Sequence, residues 1–323
     1  TVSMPMLDMP LAELREYRGI SPRPGDFDEY WTRALRELDQ TDLNVEFIPS
    51  AFQGAKAECF DLYFTGVGGS RIHAKFLKPR EIAGKAPAVL QFHGYSGDCG
   101  DWTGKLAYAS EGFVVAALDC RGQGGLSQDL ASVKGTTQNG MIIRGLDDPD
   151  PDKLHFRNVF LDTVALARIV MDLPYVDAGR VGAMGGSQGG ALTLACVGLE
   201  PRINRAAPVY PFLCDYRRVW EMDMAERAYA ELKSFFRHFD PRHEREQAIF
   251  EKLGYIDVVN LMPRVRSKVM LATGLMDNVC PPSTQFAAYN HIPSEKSHVL
   301  YPDFGHEYLP QFDDMTFQFM REM

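Results

Sequence analysis

The sequence lacks the features that mark several large classes of protein. No apolar run approaches the roughly 18 residues that a membrane-spanning helix needs, and stretches such as residues 113–118 are much shorter. Basic residues are in the minority, because 34 Lys and Arg face 43 Asp and Glu and give a formal net charge of -9. Nucleic-acid-binding proteins need a basic stripe, so we expect neither a nucleic-acid nor a membrane partner.

Signs of export and of metal binding are also missing. Residues 1–17 contain neither a basic start nor an apolar segment followed by a small-residue cleavage site, so we expect a cytoplasmic protein. The six cysteines include no Cys-x-x-Cys pair and no neighbouring His at metal-ligand spacing. We therefore expect reduced, mostly buried thiols, and no metal or other cofactor.

The composition that is present is that of a soluble globular protein, with 45% hydrophobic and 24% charged residues in a chain of 323. The length alone would allow two domains. No repeat, low-complexity tract or Gly/Ser linker divides the chain, however. We therefore predict a single domain over residues 1–323.

The first part of the chain, residues 1–86, has a pattern of its own. Apolar and aromatic residues, among them Trp31, recur at helical spacing over residues 26–38 and predict a helix. Strand-like segments follow at residues 57–65 and 72–78, and the glycines between them indicate a hairpin turn. The sequence thus predicts an extension made of a helix and strands.

From residue 87 onward, short apolar runs alternate with helical stretches. This alternation is typical of parallel strands joined by crossover helices, one of which is a clearly amphipathic helix over residues 156–171. The runs lie at residues 88–92, 113–118, 181–184, 206–210, 269–273 and 298–301. The pattern predicts an α/β fold with a mostly parallel central sheet and flanking helices.

Residues 212–266 interrupt this alternation. Their charged, aromatic-rich sequence indicates helices over residues 226–239 and 242–253. An insertion of this size between two strands predicts a helical cap over one edge of the sheet. Caps above the carboxyl ends of strands commonly shape a ligand pocket.

A serine motif lies between the third apolar run and the helix that follows it. Residues 185–189 read Gly-Gly-Ser-Gln-Gly, which matches the Gly-x-Ser-x-Gly pattern of a nucleophile elbow. Residues without a Cβ relieve the crowding where a strand reverses into a helix around a strained serine. The motif therefore predicts Ser187 as an exposed nucleophile beside a helix amino terminus that can bind an oxyanion.

A serine nucleophile needs a histidine base that is oriented by a carboxylate, in the chain order Ser, Asp or Glu, His. The predicted acid is Asp277, in the loop after residues 269–273, and the predicted base is His306, just before the C-terminal helix. Other residues could also serve as the acid or the base on the sequence alone. The rival acids are Asp257 and Asp303, and the rival bases are His291 on an exposed helix and His298 at the start of a strand.

The loop at residues 93–97 follows the first strand of the alternating region. We predict that the backbone N–H groups of Tyr95 and Gln188 form the oxyanion hole, where one donor typically contributes about 10²–10³ in turnover. His93 is expected to brace this loop rather than to act in catalysis. The glycines of the loop allow its backbone to approach a substrate carbonyl.

Several other side chains near predicted strand ends have two possible roles. Tyr95, Trp102, Tyr210 and Pro211 are candidates for binding the substrate, and core packing is the alternative for the last three. Arg121 lies in a glycine-rich turn that lacks the context of a phosphate-binding loop. We expect Arg121 to brace neighbouring loops by ion pairs or by hydrogen bonds to carbonyls.

Three motifs occur in order along the chain. Residues 121–123 read Arg-Gly-Gln, residues 185–189 form the serine motif, and residues 306–307 read His-Glu, with Asp277 between the last two. Together they resemble the signature set of the acetyl xylan esterase and cephalosporin C deacetylase family, carbohydrate esterase family 7. The resemblance spans nearly the whole chain. It implies an α/β-hydrolase fold, no metal, a cytoplasmic location and a homohexamer of two trimers whose active sites face an internal cavity.

The resemblance also implies a function and the residues that perform it. Members remove acetyl groups from short acetylated xylo-oligosaccharides and other small acetyl esters, including cephalosporin C. By resemblance, Ser187 is the nucleophile, His306 the general base and Asp277 its orienting acid, while Tyr95 and Gln188 supply the oxyanion amides. A peptidase or another esterase of the same fold, and a catalytically inactive binding protein, are the alternative functions.

Overall fold

The computed structural model describes residues 7–135 and 140–323, so residues 1–6 of the predicted extension lie outside the described residues. Nine strands in the described part form one sheet. They are β1 (Glu46–Pro49), β2 (Ala57–Thr65), β3 (Arg71–Pro79), β4 (Ala86–Phe92), β5 (Val114–Leu118), β6 (Val176–Gly186), β7 (Arg205–Val209), β8 (Lys268–Gly274) and β9 (Lys296–Tyr301).

The sheet is mostly parallel, as the alternating pattern predicts. Its strand order is β1-β2-β3-β5-β4-β6-β7-β8-β9. All neighbours from β5 to β9 in this order are parallel, whereas β1, β2 and β3 pair antiparallel with each other and β3 pairs antiparallel with β5. Each of the six apolar runs lies on one of the parallel strands, which need apolar residues because helices cover both faces.

The helices flank this sheet. The α-helices are α1 (Leu11–Leu14), α2 (Phe27–Asp39), α3 (Leu106–Ser110), α4 (His155–Met171), α5 (Gln188–Leu199), α6 (Tyr216–Glu221), α7 (Glu231–Phe239), α8 (Glu246–Leu253), α9 (Val258–Leu261), α10 (Pro282–His291) and α11 (Phe312–Arg321). Short 3₁₀ turns occur at Val67–Gly69, Thr103–Lys105, Pro151–Lys153, Arg227–Tyr229, Gly254–Ile256 and Met262–Arg264.

The helix of the amino-terminal extension packs on α4, which itself packs on the parallel part of the sheet. Trp31 of α2 is fully buried and stacks on Phe160 of α4, with ring centroids 5.9 Å apart. This second layer explains why α4 is buried on nearly all sides, although its sequence has an amphipathic period. The predicted hairpin of β2 and β3 turns through Gly68 and Gly69, whose φ angles of 75° and 87° favour glycine.

The cap between β7 and β8 contains α6 to α9, and its two longest helices begin later than the sequence pattern predicts. The helix predicted over residues 226–239 begins at Glu231, because Arg227 has a left-handed φ of 51°. The helix predicted over residues 242–253 begins at Glu246, because His243 has a φ of 56°. A left-handed residue interrupts the helical hydrogen bonding, and an amphipathic period does not reveal it.

The described ranges contain no helix that combines the length and the apolarity required to cross a membrane.

All six cysteines are free, and Cys99 alone among them is not fully buried. The thiols therefore pack as small apolar groups, as the sequence predicts.

A buried ion pair joins the loop after β5 to α4. Arg121 donates from Nε and Nη2 to the two carboxylate oxygens of Asp162 at 2.9 and 2.8 Å, and from Nη1 to the carbonyl of Val67 at 2.8 Å. Both charged side chains are 1% exposed. Arg121 thus braces the neighbouring segments as its position in the sequence predicts.

We expect the substitution R121M to lower the free energy of unfolding by about 3–5 kcal/mol, because it leaves the Asp162 carboxylate buried without its partner. The double variant R121M/D162L should lose less stability than R121M, since no unpaired charge remains buried. Arg242 is a matched control, because its ion pair with Glu244 is exposed to solvent, and R242M should change stability by less than about 1 kcal/mol. Urea unfolding measures all three variants; equal losses for R121M and R242M would contradict the bracing role.

Candidate active site

Ser187 lies in the sharp turn between β6 and α5. Its φ of 58° and ψ of -117° are strained for a residue with a Cβ atom. Its backbone N–H donates to the carbonyl of Val209 at 2.9 Å and holds the turn against β7. A Cβ at Gly189 would lie 2.1 Å from the carbonyl oxygen of Phe92 on β4. Glycine is therefore required there, which is the physical reason for the last glycine of the motif.

Asp277 and His306 reach Ser187 from the loops after β8 and β9, two parallel strands that lie beyond β7 in the sheet. The Nε2 atom of His306 lies 3.0 Å from the Oγ atom of Ser187, and Nδ1 lies 2.8 Å from Oδ2 of Asp277. Because a carboxylate only accepts, Nδ1 carries the proton and Nε2 is left to accept from the serine hydroxyl. The arrangement can move a proton from Ser187 to His306.

The Asp277 carboxylate is fully buried and held from two sides. Its Oδ1 accepts from the N–H groups of Val279 and Cys280 at 2.9 and 2.8 Å, and Nε2 of Gln285 lies 3.3 Å from its Oδ2. Gln285 was not predicted as a site residue, since a single glutamine on a helix has no distinguishing pattern. These contacts fix the oxygen that faces His306.

The rival acids and bases lie elsewhere in the structure. Asp257 caps α9 inside the cap, Asp303 is exposed, His298 is hydrogen-bonded to Thr273 at 2.7 Å, and His291 to the carbonyl of Arg18 at 2.8 Å. Burial lowers the pKa of His298 to about 3, so that its ring stays neutral within its packing. The structure thus brings together Ser187, Asp277 and His306 and none of the four rivals.

The Cys280 thiol is the nearest chemical competitor of the serine. It is fully buried and interacts with the Ser187 side chain. Burial raises the pKa of Cys280 well above its ordinary value, and the negative charge of Asp277 acts in the same direction. Since the thiolate is the reactive form, this cysteine is inert beside the serine.

The loop at residues 93–97 lies beside the elbow, and Gln123 connects the two. Gln123 accepts from the N–H of Ser96 at 2.9 Å and donates to the Gln188 side chain at 2.7 Å. Among the described residues, none accepts from the backbone N–H of Tyr95 or of Gln188, so both groups remain able to bind an oxyanion. Gln123 was not predicted as a site residue, although its place in the Arg-Gly-Gln motif was a signal that could have found it.

His93 braces the start of this loop. Its Nδ1 atom donates to the carbonyl of Gly94 at 2.7 Å, and its Nε2 atom accepts from the N–H of Cys120 at 2.9 Å. Burial lowers the pKa of His93, so the ring is neutral and can make both bonds. The predicted structural role of His93 accounts for both nitrogens.

A cavity of about 690 Å³ lies between the elbow and the cap, above Ser187 and His306. Tyr95, one of the predicted substrate-binding residues, lies in its wall. The other lining residues are Gly94, Ser96, Gly97, Gly140, Arg227, Ala228, Ala230, Glu231, Ser234 and Val279. The cap therefore forms one wall of the cavity above the serine.

The other three predicted substrate-binding residues are not part of this wall. Trp102 stacks on Phe52 in a separate apolar cluster, with ring centroids 6.0 Å apart. Tyr210 packs on the ring of His306 at 4.2 Å and lines a smaller neighbouring cavity of about 250 Å³. Pro211 is absent from both linings. Proximity to a strand end places a residue at the correct edge of the sheet but does not determine the direction of its side chain.

One group of potential metal ligands occurs within the described residues, formed by His73, Cys99 and Asp119 with donor atoms within 4.8 Å of one another. Both ring nitrogens of His73 are engaged, with Asp119 at 2.6 Å and with Asp61 at 2.8 Å. Burial opposes protonation of the ring, but the two carboxylates outweigh it and raise the pKa of His73. Because carboxylate oxygens only accept, both ring nitrogens carry protons in this arrangement and neither can ligate a metal, so the group is a hydrogen-bonded brace.

The parallel sheet, the serine elbow after β6, and the acid and histidine after β8 and β9 define the fold class, which is that of the α/β hydrolases. The profile of the family described as acetyl xylan esterase (AXE1) matches residues 4–323. The chain belongs to this family and is, by that membership, an acetyl ester hydrolase.

Individual relatives agree with this assignment. The acetyl esterase Axe7A of Xylanibacter ruminicola is 30% identical over 92% of this chain and 69% of its own length. The structure of acetyl xylan esterase 1 from Thermoanaerobacterium sp. JW/SL YS485 superposes with a TM-score of 0.96 at 57% identity, over 98% of this chain and 99% of that chain. The structure of the acetyl xylan esterase from Paenibacillus sp. R4 superposes with a TM-score of 0.92 at 35% identity, over 97% of this chain and 99% of that chain.

Proposed function

We propose that this protein is a serine carboxylesterase that removes acetyl groups from acetylated xylo-oligosaccharides and other small acetyl esters, including cephalosporin C. The main support for this proposal is the hydrogen-bonded chain from Ser187 through His306 to Asp277 at the base of the cavity. Membership of the acetyl xylan esterase family supports the acetyl group as the one transferred.

The first half of the reaction transfers the acetyl group to the enzyme. Ser187 Oγ attacks the ester carbonyl carbon while Nε2 of His306 takes the hydroxyl proton. The N–H groups of Tyr95 and Gln188 stabilise the negative charge on the carbonyl oxygen. The carbon–oxygen bond to the sugar then breaks, and His306 returns its proton to the leaving alcohol oxygen.

The second half restores the enzyme. Water attacks the acetyl-serine carbonyl while His306 takes one of its protons, and the same two N–H groups again stabilise the oxyanion. The bond to Oγ breaks, acetate leaves, and His306 returns the proton to Ser187. Throughout both halves, the Asp277 carboxylate stabilises the positive charge that His306 carries.

The proposal extends to the location and the assembly of the protein. We propose a cytoplasmic homohexamer that acts on a small acetylated substrate, without a metal or other cofactor. The triad supplies the nucleophile and the proton carrier, and the backbone N–H groups of Tyr95 and Gln188 supply the oxyanion donors, which supports a cofactor-free reaction. The hexamer rests on the family resemblance, and sedimentation equilibrium distinguishes it from a monomer.

A panel of substrates tests the acyl preference. We expect kcat/KM for p-nitrophenyl acetate to exceed that for the octanoate ester by at least about tenfold, since discrimination by chain length in a pocket of limited size is of this order or larger. Acetylated xylobiose and cephalosporin C should release acetate, and a peptide anilide should not be cleaved. Faster cleavage of the octanoate or of the anilide would contradict the proposed function and favour a lipase or a peptidase.

A further inference from the structure

Glu231, the first residue of cap helix α7, is a buried carboxylate in the wall of the active-site cavity. It is 7% exposed. Its Oε2 atom accepts from the hydroxyl of Tyr95, and its Oε1 atom accepts from the N–H of Ile143 at 3.0 Å. No step of the proposed reaction uses this carboxylate, so its burial calls for another explanation.

The Tyr95 hydroxyl lies at the centre of this contact. It donates to Glu231 and accepts from the N–H of Met141 at 2.7 Å, so both its donor and an acceptor position are used. The ring of Tyr95 packs edge-on against Phe212, with centroids 5.3 Å apart. The side chain is thereby held at its tip by the cap and by residues 141–143, and along its ring by the segment after β7.

The surroundings of Glu231 are shaped for a carboxylate at this position. Gly140 has a φ of 127°, and a Cβ there would lie 2.7 Å from the carboxyl carbon of Glu231. Burial raises the pKa of Glu231 to about 7, although the Tyr95 hydroxyl and the N–H groups of residues 141–143 oppose this rise. The carboxylate therefore carries a desolvation cost, which the donors around it partly offset.

The backbone N–H of Tyr95 is one of the two oxyanion donors of the proposed function, and an oxyanion donor acts only when it is correctly oriented. We propose that Glu231 is a positioning residue for catalysis, which holds the Tyr95 side chain from the cap and thereby orients the backbone N–H of Tyr95 in the oxyanion hole. This inference rests on the proposed function. By this role, the cap would help to orient the oxyanion hole in addition to forming a wall of the cavity.

The substitutions E231Q and Y95F each break the contact without removing a backbone N–H. In E231Q, the side-chain oxygen of the new glutamine can still accept from the N–H of Ile143. Its NH₂ group then faces the Tyr95 hydroxyl, and the proton of that hydroxyl loses its acceptor. We expect kcat to fall about 10- to 100-fold in each variant, less than or equal to the loss of a whole oxyanion donor, with KM changed less than about twofold. The double variant should fall no further than the worse single variant, because both remove one contact.

Two readouts separate positioning from a structural role. First, kcat is calculated per active serine titrated with a fluorophosphonate, so that unfolded protein does not count. Second, the affinity for a methyl trifluoromethyl ketone, which forms an oxyanion on addition of the serine, should fall by the same factor as kcat. Lys233 on the same helix is the matched control, since it pairs with Asp223 and Glu226 toward solvent, and K233A should retain wild-type kcat.

The results separate this inference from the proposed function. Wild-type kcat per titrated serine in E231Q and Y95F would overturn the positioning role, and so would additive losses in the double variant. A wild-type protein that releases no acetate from any acetyl ester would overturn the proposed function instead. Parallel losses in kcat and in ketone affinity, with KM unchanged, support the inference.

Discussion

Replacing Ser187 by alanine should lower kcat for p-nitrophenyl acetate and acetylated xylobiose by about 10⁴–10⁶-fold, the range found when a serine nucleophile of this kind is removed. The Oγ atom of Ser187 is the hydroxyl that lies 3.0 Å from His306 Nε2 and can pass its proton to that ring. Residual hydrolysis would come from the oxyanion donors and from binding alone. Acetate release measures the loss, and circular dichroism verifies that S187A is folded.

A second serine serves as the control for this variant. Ser110 ends α3 and is exposed, so S110A should keep wild-type kcat. The removal of the Ser187 hydroxyl also relieves none of the backbone strain at its φ of 58°, because alanine retains the Cβ. We therefore expect similar thermal stability for S187A and the wild type. Wild-type turnover in S187A would contradict the nucleophile assignment.

The substitution D277N should lower kcat by about 10⁴-fold while leaving KM nearly unchanged, because it imposes the wrong tautomer on the histidine. An asparagine keeps its oxygen on the N–H groups of Val279 and Cys280, which donate to Oδ1 at 2.9 and 2.8 Å. Its NH₂ group then faces Nδ1 of His306, and that nitrogen must accept. The ring proton moves to Nε2, which can no longer take the proton of Ser187.

The exposed carboxylate of Asp303 is the matched control for this variant, since it lies in the same loop as His306. Steady-state kinetics of D303N should match the wild type. Asp257 is not a suitable control, because burial, aided by the nearby Asp215, raises its pKa to about 7 and its removal would disturb the cap. A loss in D303N as large as that in D277N would reassign the acid.

The features that could be predicted from the sequence are those with a local physical cause. A short apolar run predicts a parallel strand because both faces of the sheet are covered, and Gly-x-Ser-x-Gly predicts an elbow because a Cβ at Gly189 would collide with β4. Asp277 and His306 could be chosen because the carboxyl ends of parallel strands meet at one edge. The geometry is set by the parallel pair β8 and β9, because Asp277 follows β8 and His306 follows β9.

The features that could not be predicted depend on contacts between distant segments. Glu231 contacts Tyr95 from 136 residues away, and no spacing within the cap reveals this. Trp102 is a predicted substrate-binding residue, but it packs on Phe52, which lies between β1 and β2, in an apolar cluster away from the cavity. The left-handed residues Arg227 and His243 shorten the cap helices without breaking the amphipathic pattern. Such features follow from tertiary packing, which overrides local propensity.

We propose Ser187 as the activated nucleophile of the reaction. The most direct test is to treat the protein with a fluorophosphonate, digest it, and locate the label by mass spectrometry while following acetyl esterase activity. We expect one equivalent of label on Ser187, with activity lost in proportion to labelling and no label on S187A. Label on another residue with loss of activity, or full activity with Ser187 labelled, would contradict it.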